Sequence, residues 1–185
     1  MRKFASMIAA GAFAVTALTG MAYAKNPMVG GAAMYANKNI VQNAMNSKDH
    51  TTLVAAVKAA GLVDTLSGKG PFTVFAPTNE AFAALPPGTV DTLLKPENKA
   101  KLTKILTCHV VAADVMSDAI AKMIAKDGGS HSVKTVGGCM LKAKMKGDKI
   151  TLTDEKGDVA TVTIADVKQS NGVIHVIDKV LLPAS

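Results

Sequence analysis

Apolar positions recur at helical spacing through the first two-thirds of the chain and on alternate positions through its last third. A helical signal starts near Asn39. Asp49 or Thr51 can cap the next helix, in which Leu53, Val54, Val57 and Ala60 share one face. Gly61 falls where a left-handed residue ends a helix, and 62–66 reads as one further turn. Residues 72–75 predict a short strand that Pro77 breaks. Thr78 is placed to accept the Ala81 N–H and cap a helix whose first turn holds Glu80. Pro86-Pro87-Gly88 ends that helix, 90–94 forms a short one, and Pro96 suits the start of the next, with Leu102, Ile105 and Leu106 as its buried stripe. A strand is predicted over 108–112. Ile120, Met123 and Ile124 mark another helix, which Asp127-Gly128-Gly129 stops.

Beyond that point the pattern alternates. Strands are predicted over 133–136, 139–145, 149–153 and 159–164, separated by Gly-Asp and Glu-Lys-Gly-Asp turns. Asn171-Gly172 is a hairpin signal. The aliphatic run after it reads as a strand buried on both faces. Helices first and strands last argue an α+β fold and not a doubly wound parallel sheet. No internal repeat is visible.

The first residues follow a different logic. Arg2 and Lys3 precede an apolar stretch over 7–18, and Ala22-Tyr23-Ala24 matches a small-residue cleavage site. We expect 1–24 to be an export signal cleaved after Ala24; an uncleaved N-terminal anchor is the other reading of these flanks. The Gly- and Ala-rich stretch over 25–38 is expected to be flexible, and 39–185 to form the domain. No second apolar run is long enough to span a membrane, so no transmembrane segment is expected after cleavage.

Cleavage also changes the charge. The whole chain has 21 basic and 14 acidic residues, and loss of Arg2 and Lys3 leaves 19 basic ones. Arg2 is the only arginine. A nucleic-acid site normally uses arginine for bidentate phosphate and guanine contacts, so no nucleic-acid partner is expected. Lysines alone supply a salt-dependent attraction to polyanions or simply a solvated surface. Trp is absent, and Tyr35, Phe72, Phe75 and Phe82 are the only aromatic residues beyond the signal. That composition argues against ring-stacking recognition of sugars or bases.

Two cysteines in an exported chain invite a disulfide. Cys108 and Cys139, each in a predicted strand, are either bridged or two buried thiols, and their Cα separation decides between these. His50, His109, His131 and His175 could in principle join them at a metal, but no tight ligand spacing such as CxxC or HxxxH appears. No metal and no cofactor is therefore expected, and His109 and His175 read as buried hydrogen-bonding residues. There is no G-x-S-x-G elbow, P-loop or dinucleotide fingerprint, and we expect no enzymatic activity.

Two segments carry a resemblance. Thr73-x-Phe75-Ala76-Pro77-Thr78-x-x-Ala81-Phe82 and Asn171-Gly172-x-Ile174-His175-x-Ile177-Asp178-x-Val180-Leu181 resemble the two signature boxes of the fasciclin-like family. Cys108-His109-Val110-Val111 stands between them where that family usually has Tyr-His. The resemblance covers roughly 39–183. It implies a wedge or sandwich of β-strands with α-helices packed around one edge, with Thr78, Asn171, His175 and Asp178 as structural residues of the boxes. It implies a non-enzymatic role in adhesion to cells, surface polysaccharide or matrix protein, with Asp166, Val167 and His109 as candidate contacts. At these positions Val167 replaces the usual Ile and Cys108 the usual Tyr. The expected protein is a bacterial, exported monomer of the periplasm or cell surface; the competing class is a structural or stress-linked periplasmic protein with no adhesive partner.

Overall fold

The computed structural model describes residues 26–184. The expected export signal lies outside the described residues. A small hairpin, β1 (Met28–Val29) and β2 (Ala32–Ala33), precedes helices α1 (Ile40–Asn46), α2 (Thr51–Ala60) and α3 (Val63–Ser67). Strand β3 (Phe72–Pro77) is followed by α4 (Asn79–Ala83), α5 (Thr89–Leu93) and α6 (Lys99–Thr107). Then come β4 (Val110–Val111), α7 (Ser117–Lys126), β5 (His131–Lys134), β6 (Met140–Lys146), β7 (Lys149–Thr153), β8 (Val159–Gln169) and β9 (Gly172–Ile177).

Seven strands form one mixed sheet in the order β4-β3-β9-β8-β7-β6-β5. Only β3 and β9 run parallel, pairing from Phe72 with Gly172 to Pro77 with Ile177. The sheet curls until its two edges meet. Val136 N–H donates to the Val110 carbonyl at 2.7 Å and Gly137 N–H to the Thr107 carbonyl at 3.0 Å. Cys108 and Cys139 are bridged across the same seam, with Cα atoms 5.3 Å apart. The result is a mixed sheet nearly closed into a barrel and flanked by helices.

Alternation along β3 and β9 divides the interior, because neighbouring side chains on a strand point to opposite faces. Val74, Ala76, Ile174 and Val176 pack with Leu53, Val57, Leu102 and Leu106 of the helices. Phe75 and Ile177 join Leu141, Ala143, Leu152, Ala160 and Val162 of the strands and Ile120 and Ile124 of α7. β9 is therefore covered on both sides, as its aliphatic run, broken only by His175, predicts.

Local signals placed several elements well. Asn39 caps α1 in a capping box with Gln42. Gly61 ends α2 in a left-handed conformation at φ 72°. Four expectations need correction. Cys108 is not in a strand; it caps the C-terminus of α6, and β4 begins only at Val110. Cys139 lies in the turn before β6, where its N–H and carbonyl both bond the Thr135 hydroxyl. Neither Asp49 nor Thr51 caps α2; Asn79 does so from α4, its Oδ1 accepting the Thr52 N–H at 3.0 Å. The segment expected to be flexible carries the β1–β2 hairpin, and its Val29 and Met34 are buried in the helical-side core.

Candidate functional site

Strand β8 is longer than its periodicity predicts because it is irregular. Its register against β9 shifts between Val162 and Ile164 and again between Ile164 and Val167. The extra residues bulge, and at the bulge Asp166 takes a left-handed conformation with φ 60°. It is the only non-glycine among the described residues to do so. Asp tolerates this region better than most residues because its short side chain can bond locally. The turned backbone aims the carboxylate at the first turn of α7. Oδ1 accepts the Ser117 N–H at 2.7 Å, and the Ser117 hydroxyl donates to Oδ2. An anion there also meets the positive end of the helix dipole.

His175 supports the bulge from the neighbouring strand. Its Nδ1 accepts the Asp166 N–H at 3.2 Å, so the proton sits on Nε2, which donates to the Val115 carbonyl at 2.8 Å. The ring is wholly buried and stacks on Phe75 with centroids 5.8 Å apart. Burial lowers its pKa, outweighing the opposite pull of the Val115 carbonyl and of Asp166 and Asp114. The neutral ring therefore ties the β8 bulge to the loop ahead of α7.

His109 plays a similar part at the seam. Nδ1–H donates to the Ile105 carbonyl at 2.8 Å, leaving Nε2 to accept the Leu181 N–H at 2.9 Å. Desolvation lowers its pKa to about 4. Val167 is fully buried and His109 is 2 % exposed, so neither offers atoms to a partner at the surface. Of the three candidate contact residues only Asp166 reaches the surface, half-buried beside Ser117.

The box residues hold the frame together. Asn171 ties down two separate segments: its Oδ1 accepts the Ile40 N–H at 3.0 Å at the start of α1, and its Nδ2 donates to the Leu66 and Gly68 carbonyls at the end of α3, each at 2.8 Å. Asp178 accepts the Thr161 N–H at 2.6 Å. Thr78 accepts the Ala81 N–H at 3.3 Å and caps α4. The third buried histidine, His50, takes a 2.8 Å bond between Nδ1 and Ser47 Oγ, and its Nε2 lies near the Ala76 backbone without a hydrogen bond of good geometry.

Sequence reasoning missed Ser117, because nothing local connects it to a carboxylate 49 residues away. It also passed over Lys142, Lys144 and Lys146, whose strict alternation was a visible signal. Among the described residues no group of three or more His, Cys, Asp and Glu is placed to hold a metal ion. No described helix is long and apolar enough to cross a membrane.

Comparison with known proteins gives a consistent picture. Residues 48–183 match the model of the Fasciclin domain. The chain is 49 % identical over 183 residues to Protein sll1483 of Synechocystis sp., covering 92 % of this chain and 94 % of that protein. It is 33 % identical over 211 residues to Immunogenic protein MPB70 of Mycobacterium bovis, covering 98 % of each. The fold matches a FAS1 domain pair from the insect cell adhesion molecule Fasciclin I with a TM-score of 0.70. That match has 18 % sequence identity and covers 78 % of this chain and 51 % of the other.

Proposed function

This chain belongs to the fasciclin domain family, and we propose that it is an exported, non-catalytic binding module that attaches to a cell-surface polysaccharide or protein. The observation that carries this reading is how the chemically able residues are used. His109 and His175 each spend both ring nitrogens on internal bonds, the Asp166 carboxylate is spent on α7, and both cysteines are bridged. What remains available is the outer surface, and surface recognition is what an adhesion molecule such as the insect relative does. In this reading the protein acts as a monomer in the periplasm or at the cell exterior. The β8 bulge at Asp166 is a candidate contact, with Val167 buried beside it, while His109 stays buried at the seam.

The test is retention of the purified, oxidised domain on whole cells and on extracted surface polysaccharide. Saturable binding is expected. Retention by neither would overturn the adhesive reading in favour of a structural periplasmic protein.

A further inference from the structure

The half-barrel made by β5 to β8 has an inner face filled by Leu141, Ala143, Leu152 and Ala160. Register assigns every other position to the outer face. Lys142 stands opposite Ser132 and Thr153, Lys144 opposite Thr151, Lys146 opposite Lys149, and Lys134 opposite Met140. Thr151 and Thr153 are followed across β8 by Thr161 and Val159. The outer positions of these paired strands thus hold Lys134, Lys142, Lys144, Lys146 and Lys149, all exposed, with Ser132, Thr153 and Thr161 and the exposed apolar Met140 and Val159 between them and no carboxylate; Thr151 is buried there, its hydroxyl donating to the Lys144 carbonyl. Neither of the ion pairs among the described residues involves any of them. Asp148 sits in the turn at one margin, and the Glu155 carboxylate at the other is occupied by the Met140 and Ala184 N–H groups.

Two features of this face are hard to explain as a solvated surface. Lys146 lies directly opposite Lys149, and like charges so placed destabilise a sheet. Lysines on an edge block edge-to-edge pairing, and that reason covers Lys134 on β5 and also Lys144 and Lys146, where β6 runs on beyond its pairing with β5; it does not cover Lys142, which is paired on both sides. Along β6 the ammonium-bearing positions repeat every two residues, about 7 Å apart.

We propose that the outer face of β5 to β8 is the docking surface for an anionic polysaccharide, a deepening that rests on the adhesive reading above. Lysines at this spacing meet the carboxylate or sulfate groups of a polymer with regularly recurring charge, and the accessible Ser132, Thr153 and Thr161 side chains beside them suit sugar hydroxyls. A nucleic acid fits less well, since the face has neither arginine nor an aromatic ring on which a base could stack.

The experiment measures binding of the full domain to immobilised alginate, a polyuronate, with neutral dextran and phosphatidylglycerol vesicles as comparisons, across a salt series. A triple variant, Lys142→Glu with Lys144→Glu and Lys146→Glu, is set against a control of equal charge change, Lys58→Glu with Lys95→Glu and Lys101→Glu. A Lys→Gln triple on β6 guards against misfolding. Saturable, salt-sensitive binding to alginate is expected, reduced about tenfold or more by either β6 variant and by less than about twofold by the control. Equal loss in both glutamate triples, absence of alginate binding, or binding to the vesicles alone would overturn the proposal. Undiminished binding of the β6 variants to whole cells would overturn it too, while leaving the adhesive reading in place.

Discussion

The two cores lie on opposite faces of the same pair of strands, β3 and β9, yet they are closed by different means. On the helical side the elements are short, five to ten residues for α1 to α6. Helices of that length are marginal alone and depend on tertiary partners. Buried amides supply those partners: Asn171 reaches α1 and the end of α3, and Asn43 bonds both the N–H and the carbonyl of Tyr35. On the strand side, closure comes from alternation of apolar residues, from backbone bonds across the seam and from the Cys108–Cys139 bridge. One side is specified by a few polar contacts at particular atoms, the other by a repeating pattern and a covalent tie.

The sharpest way to break this contrast is Asn171→Ala. It orphans one buried N–H and two carbonyls, and the expected loss is ~4 kcal/mol in urea unfolding. Hydrogen exchange should rise first in α1 and α3. Replacing both cysteines with serine should cost ~3 kcal/mol, because the bridge closes a loop of 31 residues. Here exchange should rise at the seam, around Val110 and Val136. If both variants loosen the same amides, the two sides do not differ as described.

Acid tests both sides together. His50, His109 and His175 all have lowered pKa values, chiefly through burial. Each takes up a proton more readily unfolded than folded, so stability is full above the unfolded value of about 6.5 and declines as pH falls below it. With a folded value of about 4, His109 alone should cost ~2 kcal/mol between pH 7 and pH 5. A thermal midpoint that is flat over that interval would show that these rings are not held neutral. Smaller again, Thr78→Ala should cost ~1 kcal/mol through loss of the α4 cap. Lys142→Gln should change stability by no more than ~0.5 kcal/mol, since the side chain is exposed and unpaired.

What could be read in advance follows from range. Caps and terminators such as Gly61 and Thr78 act within a few residues and were legible, as were the start of α1 near Asn39 and the two-sided burial of β9. Cys108 was misplaced because Cys-His-Val-Val-Ala has strand composition, while the helix before it continues to Thr107. The role of Asn171 was legible only as a box residue, because its partners lie 103 to 131 positions away. Asp166 and Ser117 likewise meet only through a bulge whose irregularity no periodicity announces.

The parallel pairing of β3 with β9 joins residues a hundred positions apart at the centre of the sheet. Gly172 belongs to that junction: a methyl group there would fall onto the Phe72 carbonyl, so the two chains approach as bare backbone. During synthesis, every element before β9 emerges without the strand that covers one side of β3. High contact order of this kind slows folding and leaves apolar surface open until the last partner arrives. A nascent chain of this design stays unfinished until β9 has been made.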